Sequence, residues 1–478
     1  MSRGVLEWDA QSPEYLLLRA RDGNGHDVTL SREHLAEPLS PSLARGHSLL
    51  DLTLVLNLDA DALGAMNAAL AAPMAPAVEP AEPSAANAIV QTTVLSALRQ
   101  VALLLRANDL RMCDVAPMSE ALRVAVDHFA PFVGLVREST GGGDVLRAAA
   151  ADDDRAPDAD AGADVAALVS VLIAGHNPRY LNAALQSVEK QTWPNIEIIV
   201  CDDNPGAAVA DLVHRFAAAS RCSVRYFKNE TRLGVRRNYE RCLRESSGRY
   251  VKFLNDDDLL DPPCIERMVR ALERCPSAHL VTSHRRRIDE RGSPLSDQLA
   301  TVPITKTDIY VDGLSLINAL LMLGLNFVGE PSTAMFRRSA VTGESAEMFH
   351  FLGVMGRGIV DMVMWTQLAM RGDVVFLADR LSSFRIHSEQ QTATTNVSTL
   401  ALTAIPALRD RWLAFDFFTR VPPNVLRVMP LDATDGLDAQ VTRDWQLLAL
   451  ATFSPPNANA EALRAQWLAK EHPFFAPR

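Results

Sequence analysis

The chain has 478 residues, 48% of them hydrophobic and 22% charged, and carries a formal net charge of −11. That length and balance describe a globular protein of about two to four domains with at least one sizeable core. The acidity excludes a general nucleic-acid binder, because phosphate contacts need a basic surface.

Six cysteines, Cys113, Cys201, Cys222, Cys242, Cys264 and Cys275, form no C-x-x-C pair. They give neither a zinc pattern nor a compact disulfide framework, and a reducing compartment fits. Met1 to Asp9 lacks the apolar core of a signal peptide. The longest oily run, Leu314 to Val328, is interrupted by Asn318 and Asn326 and is too short to cross a bilayer. A cytoplasmic protein is expected, with contact at the inner face of the membrane and self-association both left open.

Residues 1–70 predict a β-rich accessory module, from runs such as Tyr15 to Leu18 and Leu52 to Leu56 and a turn at Gly23-Asn24-Gly25. Pro73, Pro76, Pro80 and Pro83 mark 71–86 as a Pro/Ala linker. A helical accessory segment is expected over 87–138. Its first helix, Val94 to Arg111, aligns Leu98, Val101, Leu105 and Leu110; its second, 117–136, breaks at Pro131. The first suits packing in a domain better than lying on a membrane, since it has few charges. Gly141-Gly142-Gly143 and the run of aspartates from Asp152 to Asp164 read as an acidic, flexible linker over 139–166. No function is assigned to residues 1–166.

From residue 167 apolar strands alternate with helices. Leu168 to Ile173 and Ile196 to Cys201 are continuous apolar runs. Between them lies a helix carrying Leu181, Leu185 and Val188. A helix over 207–219 and a strand at Val224 to Phe227 follow. Fully apolar strands in this alternation signal a mainly parallel sheet covered on both faces. Such sheets bind ligands beyond the carboxyl ends of their strands. His176 and Asn177, Asp202 and Asp203, and the triplet Asp256-Asp257-Asp258 all fall at such ends.

The triplet follows Tyr250 to Leu254 and precedes Pro262-Pro263. Three adjacent carboxylates repel one another, and burial makes ionising all of them costlier. A divalent cation carrying a phosphorylated substrate would relieve that cost; an acidic turn capping the next helix is the alternative. The rim has no Gly-rich phosphate loop, so a nucleotide held by base, ribose and a metal-bridged diphosphate fits best. Arg236 and Arg237, near the start of a helix that opens at Gly234, suit a diphosphate, although a solvated helix face would look the same.

Val169 to Asn177, Gln191 to Asp203 and the Asn229 to Asn238 segment together resemble the family 2 glycosyltransferases with the GT-A fold, over Leu168 to about Thr392. The resemblance implies an α/β domain of GT-A type at 167–392: a Rossmann-like, mixed but mainly parallel sheet with helices on both faces. The N-terminal α+β accessory region precedes it and a helical C-terminal extension, 393–478, follows. It further implies a nucleotide-diphosphate sugar donor, contacted by Ala174, His176, Asn177, Asp203, Arg236, Arg237, Asn255 and Asp256. Asn255 stands where the family's D-x-D motif often has its first acid. In that pattern Asp256 meets the ribose, while Asp257 holds Mn2+ or Mg2+ with help from His387 in Ser383-Phe384-Arg385-Ile386-His387. Asp258 is left to cap the next helix. Asp361 matches the catalytic aspartate of the family's "ED" pair, with Val360 in place of the preceding acid; a helix cap is the alternative for Asp361, and a surface histidine for His387. Glu330 and Ser332 are expected on the acceptor side.

The reading is an inverting, metal-dependent transfer of sugar to a hydroxyl on a bacterial glycan, a lipid-linked sugar or a protein, as in cell-surface glycan biosynthesis. A non-catalytic sugar-nucleotide-binding scaffold on a degenerate core is the alternative, favoured by Val360 and Asn255. A nucleotidyltransferase fits less well, since Gly175 to Pro178 is no Gly-rich basic loop.

Overall fold

Apolar runs bounded by turn residues become strands here, and segments with apolar side chains every three or four positions become helices. The computed structural model describes residues 166–275, 278–341, 348–351, 354–355 and 358–390. It also describes 5–8, 16–21, 27–30, 53–54, 98, 102, 112–115, 120–140, 143–148, 404–406, 408–409, 425–431, 443–447 and 475–477. Contacts divide the chain into two units, one built mainly on residues 1–150 and the other mainly on 151–408 with strands from the tail.

In the first unit the strands are Val5–Trp8 (β1), Leu16–Arg21 (β2), Asp27–Leu30 (β3), Thr53–Leu54 (β4), Met112–Val115 (β5), Leu135–Thr140 (β6) and Gly143–Ala148 (β7). They form one sheet in the order β3-β2-β1-β4-β5-β7-β6, with Glu120–Phe129 (α1) running into a 3-10 turn at Ala130–Val133. This corrects two expectations. The stretches 1–70 and 87–138 contribute strands to a single sheet instead of forming separate modules. The expected linker at 139–166 begins with a hairpin, in which Thr140 pairs with Gly143 and Gly143 has φ +130°. Glycine tolerates that backbone at Gly143, and Leu135, Val145 and Leu146 of the two paired strands are buried. Of the expected helix at 94–111 only Leu98 and Ala102 are described, both helical and buried. The 71–86 linker and the aspartates of 152–164 lie outside the described residues.

The second unit carries Val169–Gly175 (β8), Pro178–Glu189 (α2), Ile196–Asp202 (β9), Ala208–Ala217 (α3), Ser223–Lys228 (β10), Val235–Glu245 (α4), Tyr250–Phe253 (β11), Leu259–Leu260 (β12), Cys264–Arg274 (α5) and Ala278–Ile288 (β13). There follow Pro294–Leu295 (β14), Ile309–Val311 (β15), Gly313–Leu323 (α6), Ala334–Arg337 (β16), His350–Phe351 (β17), Val354–Met355 (β18), Val360–Arg371 (α7) and Asp373–Arg385 (β19). Strands β10, β9, β8 and β11 run parallel; β16 is antiparallel to both β11 and β13, and β13 is parallel to β19. The mainly parallel mixed sheet expected for 167–392 is therefore present.

Alternation along the strands splits the core. Val169, Val171, Ile173, Ile198, Val200, Met335 and Val375 cluster with Leu181, Leu185 and Val188 of α2, Val209 and Val213 of α3, and Met268 and Leu272 of α5. Tyr239 of α4 packs instead against Phe253, and Phe253 against Phe336, on the opposite face. Each such aliphatic side chain, fully buried, contributes about 1.5–3 kcal/mol before chain entropy is counted. The tail differs from expectation. Leu408 is helical and buried, but Val425–Pro430 (β20) pairs with β15 and is followed by strands Arg443–Leu447 (β21) and Phe475–Pro477 (β22). Leu400, Leu402, Trp412, Phe415, Phe417 and Phe418 lie outside the described residues.

Helices α6 and α7 meet at Gly313, whose amide donates to Asp373 Oδ1 at 3.0 Å. A Cβ there would stand 2.1 Å from the Ala369 carbonyl oxygen and 2.4 Å from that of Gly372. Both are backbone atoms that cannot swing away. Gly313→Ala should therefore destabilise this unit by at least ~1–3 kcal/mol, read as a lower urea midpoint, whereas Gly206→Ala, near only the Asn204 side chain at 3.3 Å, should change it far less.

Candidate active site

The rim is held together by carboxylates that each find a different partner. Strand β9 ends in Asp202 and Asp203. Asp202 is fully buried and takes hydrogen bonds from the Tyr226 hydroxyl at 2.6 Å, Lys228 Nζ at 2.9 Å and the Asn204 amide at 2.7 Å. Asp203 Oδ1 accepts from Asn229 Nδ2 at 2.6 Å and the Leu233 amide at 3.0 Å, and Oδ2 from the Gly234 amide at 2.7 Å. Its own amide donates to Gly175 O at 2.8 Å. Asp203 thus shapes the loop leading into α4, where Gly234 adopts φ +77°.

Next along the rim is the loop after β8. The amides of His176 and Asn177 both donate to Asp256 Oδ2, at 2.7 and 2.8 Å. Asn177 also caps α2, its Oδ1 accepting from the Arg179 amide at 3.0 Å. The His176 ring is exposed and Ala174 is half-buried.

The triplet after β11 divides its labour. Asp256 spends one oxygen on that loop, and burial holds its pKa above the ordinary carboxylate range. Asp258 is fully buried and accepts from Ser332 Oγ at 2.6 Å, Asn255 Nδ2 at 2.9 Å and the Arg385 amide at 3.0 Å. It is no helix cap: α5 has Pro263 at its N-cap and no capping side chain. Asn255 is likewise committed, its Oδ1 accepting from the Tyr239 hydroxyl at 2.6 Å. That leaves Asp257, whose Oδ2 lies 2.9 Å from His387 Nε2. Burial and the neighbouring Asp256 charge push Asp257 up to about 7, and burial lowers His387, so both lean towards neutrality. Arg385 Nε donates to the Asp257 carbonyl at 2.8 Å, and its guanidinium stands 4.5 Å above the Tyr180 ring.

Asp361 opens α7, but Ile359 occupies the N-cap and no side chain caps that end. Its Oδ1 accepts from the Met362 amide at 2.8 Å and its Oδ2 from Asn326 Nδ2 at 2.7 Å. Burial pushes its pKa up to about 6. The Glu330 charge acts on Asp257, Asp258 and Asp361 alike, and all three also act on Tyr239. Asn326 and Ser332, on one short segment, donate to Asp361 and Asp258 respectively, so the expected metal-side and base-side carboxylates share one neighbourhood.

Several expected roles are corrected. Ser332 is buried, donates to Asp258 and accepts from the Asn255 amide at 2.9 Å, so its hydroxyl braces the triplet and does not face an acceptor. Glu330 is tied to Arg285, with 2.5 Å between Oε2 and Nε. Arg236 is ion-paired with Glu240, while Arg237 is exposed, with no partner among the described residues. No group of three or more His, Cys, Asp or Glu side chains among the described residues is placed to hold a metal; Asp257 and His387 offer two donors. Sequence reading missed Arg385, Tyr239 and Asn326. For Asn326 a signal existed, a polar residue inside an oily run.

Among the described residues no helix is long and apolar enough to cross a membrane. Residues 170–342 match the family model for glycosyl transferase family 2. An uncharacterized protein of Mycobacterium tuberculosis is 28% identical over 273 residues, 54% of this chain and 79% of that protein. The UDP-Glc:alpha-D-GlcNAc-diphosphoundecaprenol beta-1,3-glucosyltransferase WfgD of Escherichia coli is 32% identical over 93 residues, and the match spans 19% of this chain and 36% of WfgD. Among solved structures, S. aureus TarS 1-349 in complex with UDP-GlcNAc aligns with 16% identity and a TM-score of 0.37, over 53% of this chain and 72% of that one.

Removing the Asp203 carboxylate strands three donors at a nearly buried position. Asp203→Ala should free the loop before α4 at a cost of ~1–3 kcal/mol. Limited trypsin digestion should then cut after Arg232, which is exposed, roughly tenfold faster for each ~1.4 kcal/mol lost.

Proposed function

We propose that the second unit, whose residues 170–342 match the glycosyl transferase family 2 model, moves a sugar from a nucleotide-diphosphate sugar to an acceptor hydroxyl with inversion at the anomeric carbon. The observation that carries the reading is that one short segment reaches both acidic groups: Asn326 Nδ2 donates to Asp361 Oδ2 at 2.7 Å and Ser332 Oγ to Asp258 Oδ2 at 2.6 Å, next to the approach of Asp257 to His387 at 2.9 Å. In this reading the acceptor oxygen attacks the anomeric carbon as the bond to the diphosphate breaks. Asp361 takes the hydroxyl proton, and the nucleoside diphosphate leaves with the bonding pair. Inversion follows from a single in-line displacement, which needs one base and no enzyme nucleophile.

A pKa near 6 keeps Asp361 ionised at neutral pH yet basic enough to share a proton in the transition state. Asp257 and His387 would hold Mn2+ or Mg2+. Such an ion completes its shell with phosphate oxygens and water, which suits a site with only two protein donors. When bound it would neutralise charge on the departing diphosphate. The second oxygen of Asp256 makes no hydrogen bond among the described residues and remains available to the ribose. Arg237, exposed in the first turn of α4, is the arginine assigned to the phosphates. The name of WfgD specifies a UDP-sugar donor and a diphosphoundecaprenol-linked acceptor, which supports a lipid-linked sugar as acceptor here, beside a glycan or protein. The scaffold alternative draws on Val360 and Asn255, but Asp361 keeps two hydrogen bonds and Asn255 serves as a structural link.

Two results test this. Asp257→Ala should abolish metal-dependent binding of sugar nucleotides in calorimetry, whereas Asp361→Asn should bind them normally and transfer no sugar. Transfer by Asp361→Asn at the parent rate would refute the base assignment. With metal saturating, so that Asp257 stays ionised, the base alone sets the profile: kcat/KM should be flat above about pH 6 and fall about tenfold per pH unit below it. A profile that rises as pH falls would contradict the assignment.

A further inference from the structure

Asp361 lacks the acid that precedes it in the family motif, since Val360 stands there. The surroundings show what holds it instead. Asn326 lies in the turn after α6, and its side-chain amide uses all of its groups. Its Oδ1 accepts from the Gly329 amide at 3.0 Å, while Nδ2 donates to Gly329 O at 3.0 Å and to Asp361 Oδ2 at 2.7 Å. Gly329 O also accepts from Trp365 Nε1 at 2.8 Å, and Trp365 sits one helical turn beyond Asp361 on α7, fully buried. Gly329 has φ +111°, and a Cβ there would meet the Thr333 side chain at 2.6 Å. The 326–329 turn is therefore fixed on α7 at two points, and Asn326 is the one that reaches the carboxylate.

We propose that Asn326 is the positioning residue for Asp361, orienting the carboxylate and favouring its ionised form in place of the missing acid. The proposal rests on Asp361 acting as the base. With Met362 holding Oδ1 and Asn326 holding Oδ2, neither oxygen can rotate away without breaking a bond. Each still keeps a lone pair for a substrate proton. An amide does this without cost to the base, because it donates and stays neutral. A carboxylate at the same distance would force the pair to share a proton. The charged groups facing Asp361 are Glu330, itself paired with Arg285, and beyond them Asp257 and Asp258; the buried Tyr239 hydroxyl is the neutral titratable neighbour.

The test needs no substrate. Asn326→Asp keeps the acceptor for the Gly329 amide and removes the donor that serves both Gly329 O and Asp361 Oδ2. Urea midpoints of the full chain should fall a little below the parent at pH 5, where one shared proton replaces one of the two Nδ2 bonds, and much further at pH 8, where both carboxylates ionise. Combining Asn326→Asp with Asp361→Asn should bring the pH 8 midpoint back to the pH 5 value of Asn326→Asp, because the amide and the carboxylate have exchanged places. Asn326→Ala should likewise cost more at pH 8 than at pH 5, and this pH dependence should vanish in the Asp361→Asn background. An equal loss at both pH values, or no rescue by the exchange, would show that Asn326 merely braces the turn and would overturn the proposal. These outcomes are independent of the base assignment, which fails only if Asp361→Asn transfers sugar.

Discussion

Three consecutive carboxylates sit where β11 stops, largely out of water, and this desolvation is the constraint on which the rim depends. A buried carboxylate must be protonated, paired or richly hydrogen-bonded. The chain meets the demand differently at each position. Asp256 takes two backbone amides from the loop after β8, which fixes that loop against β11. Asp258 takes Ser332, Asn255 and the Arg385 amide, which ties the entrance of β16 and the end of β19 to the same point. Only Asp257 is left with a partner, His387, that a cation can share. The two outer aspartates organise the backbone so that the middle one is available for chemistry.

The same division explains why Arg385 matters. Its guanidinium covers Tyr180 and donates to the carbonyls of Asp257 at 2.8 Å, Asp289 at 3.1 Å and Glu290 at 3.3 Å. A cation buried beside the acidic turn, bonded only to neutral carbonyls, lowers the electrostatic cost of the carboxylates without consuming any of them. It also locks the chain just before His387, so that the imidazole approaches Asp257 from a defined direction.

Much of this was legible in the residues. The strands β8, β9 and β11 announce themselves as unbroken apolar runs, and the polar residues at their ends do gather on one rim, because parallel strands all finish on the same side. What could not be read was how each polar group is used. Asp203, Asn255, Asp256 and Ser332 look alike as ligands in a sequence, yet hydrogen bonds to backbone and side chains spanning up to 80 positions decide which oxygens remain free. Asn326 was visible only as a flaw in an oily run; its partner lies 35 residues on. The hairpin at Gly143 and the strands of the tail escaped for a related reason, since triglycine composition suits a turn as well as a linker, and strand pairing with β15 is a property of tertiary contacts.

Strand β16 runs against its neighbours, so the rim collects chain that is entering the sheet at Pro331–Thr333 alongside chain that is leaving it from β8, β9 and β11. From the end of β15 to that entrance the chain makes one excursion, which contains α6 and the 326–329 turn. Lengthening, shortening or exchanging that excursion alters what stands beside Asp361 while the aspartates on β9 and β11 keep their register. The architecture thus lets the chain beside Asp361 vary in length while the loops held by Asp203 and Asp256 keep their places.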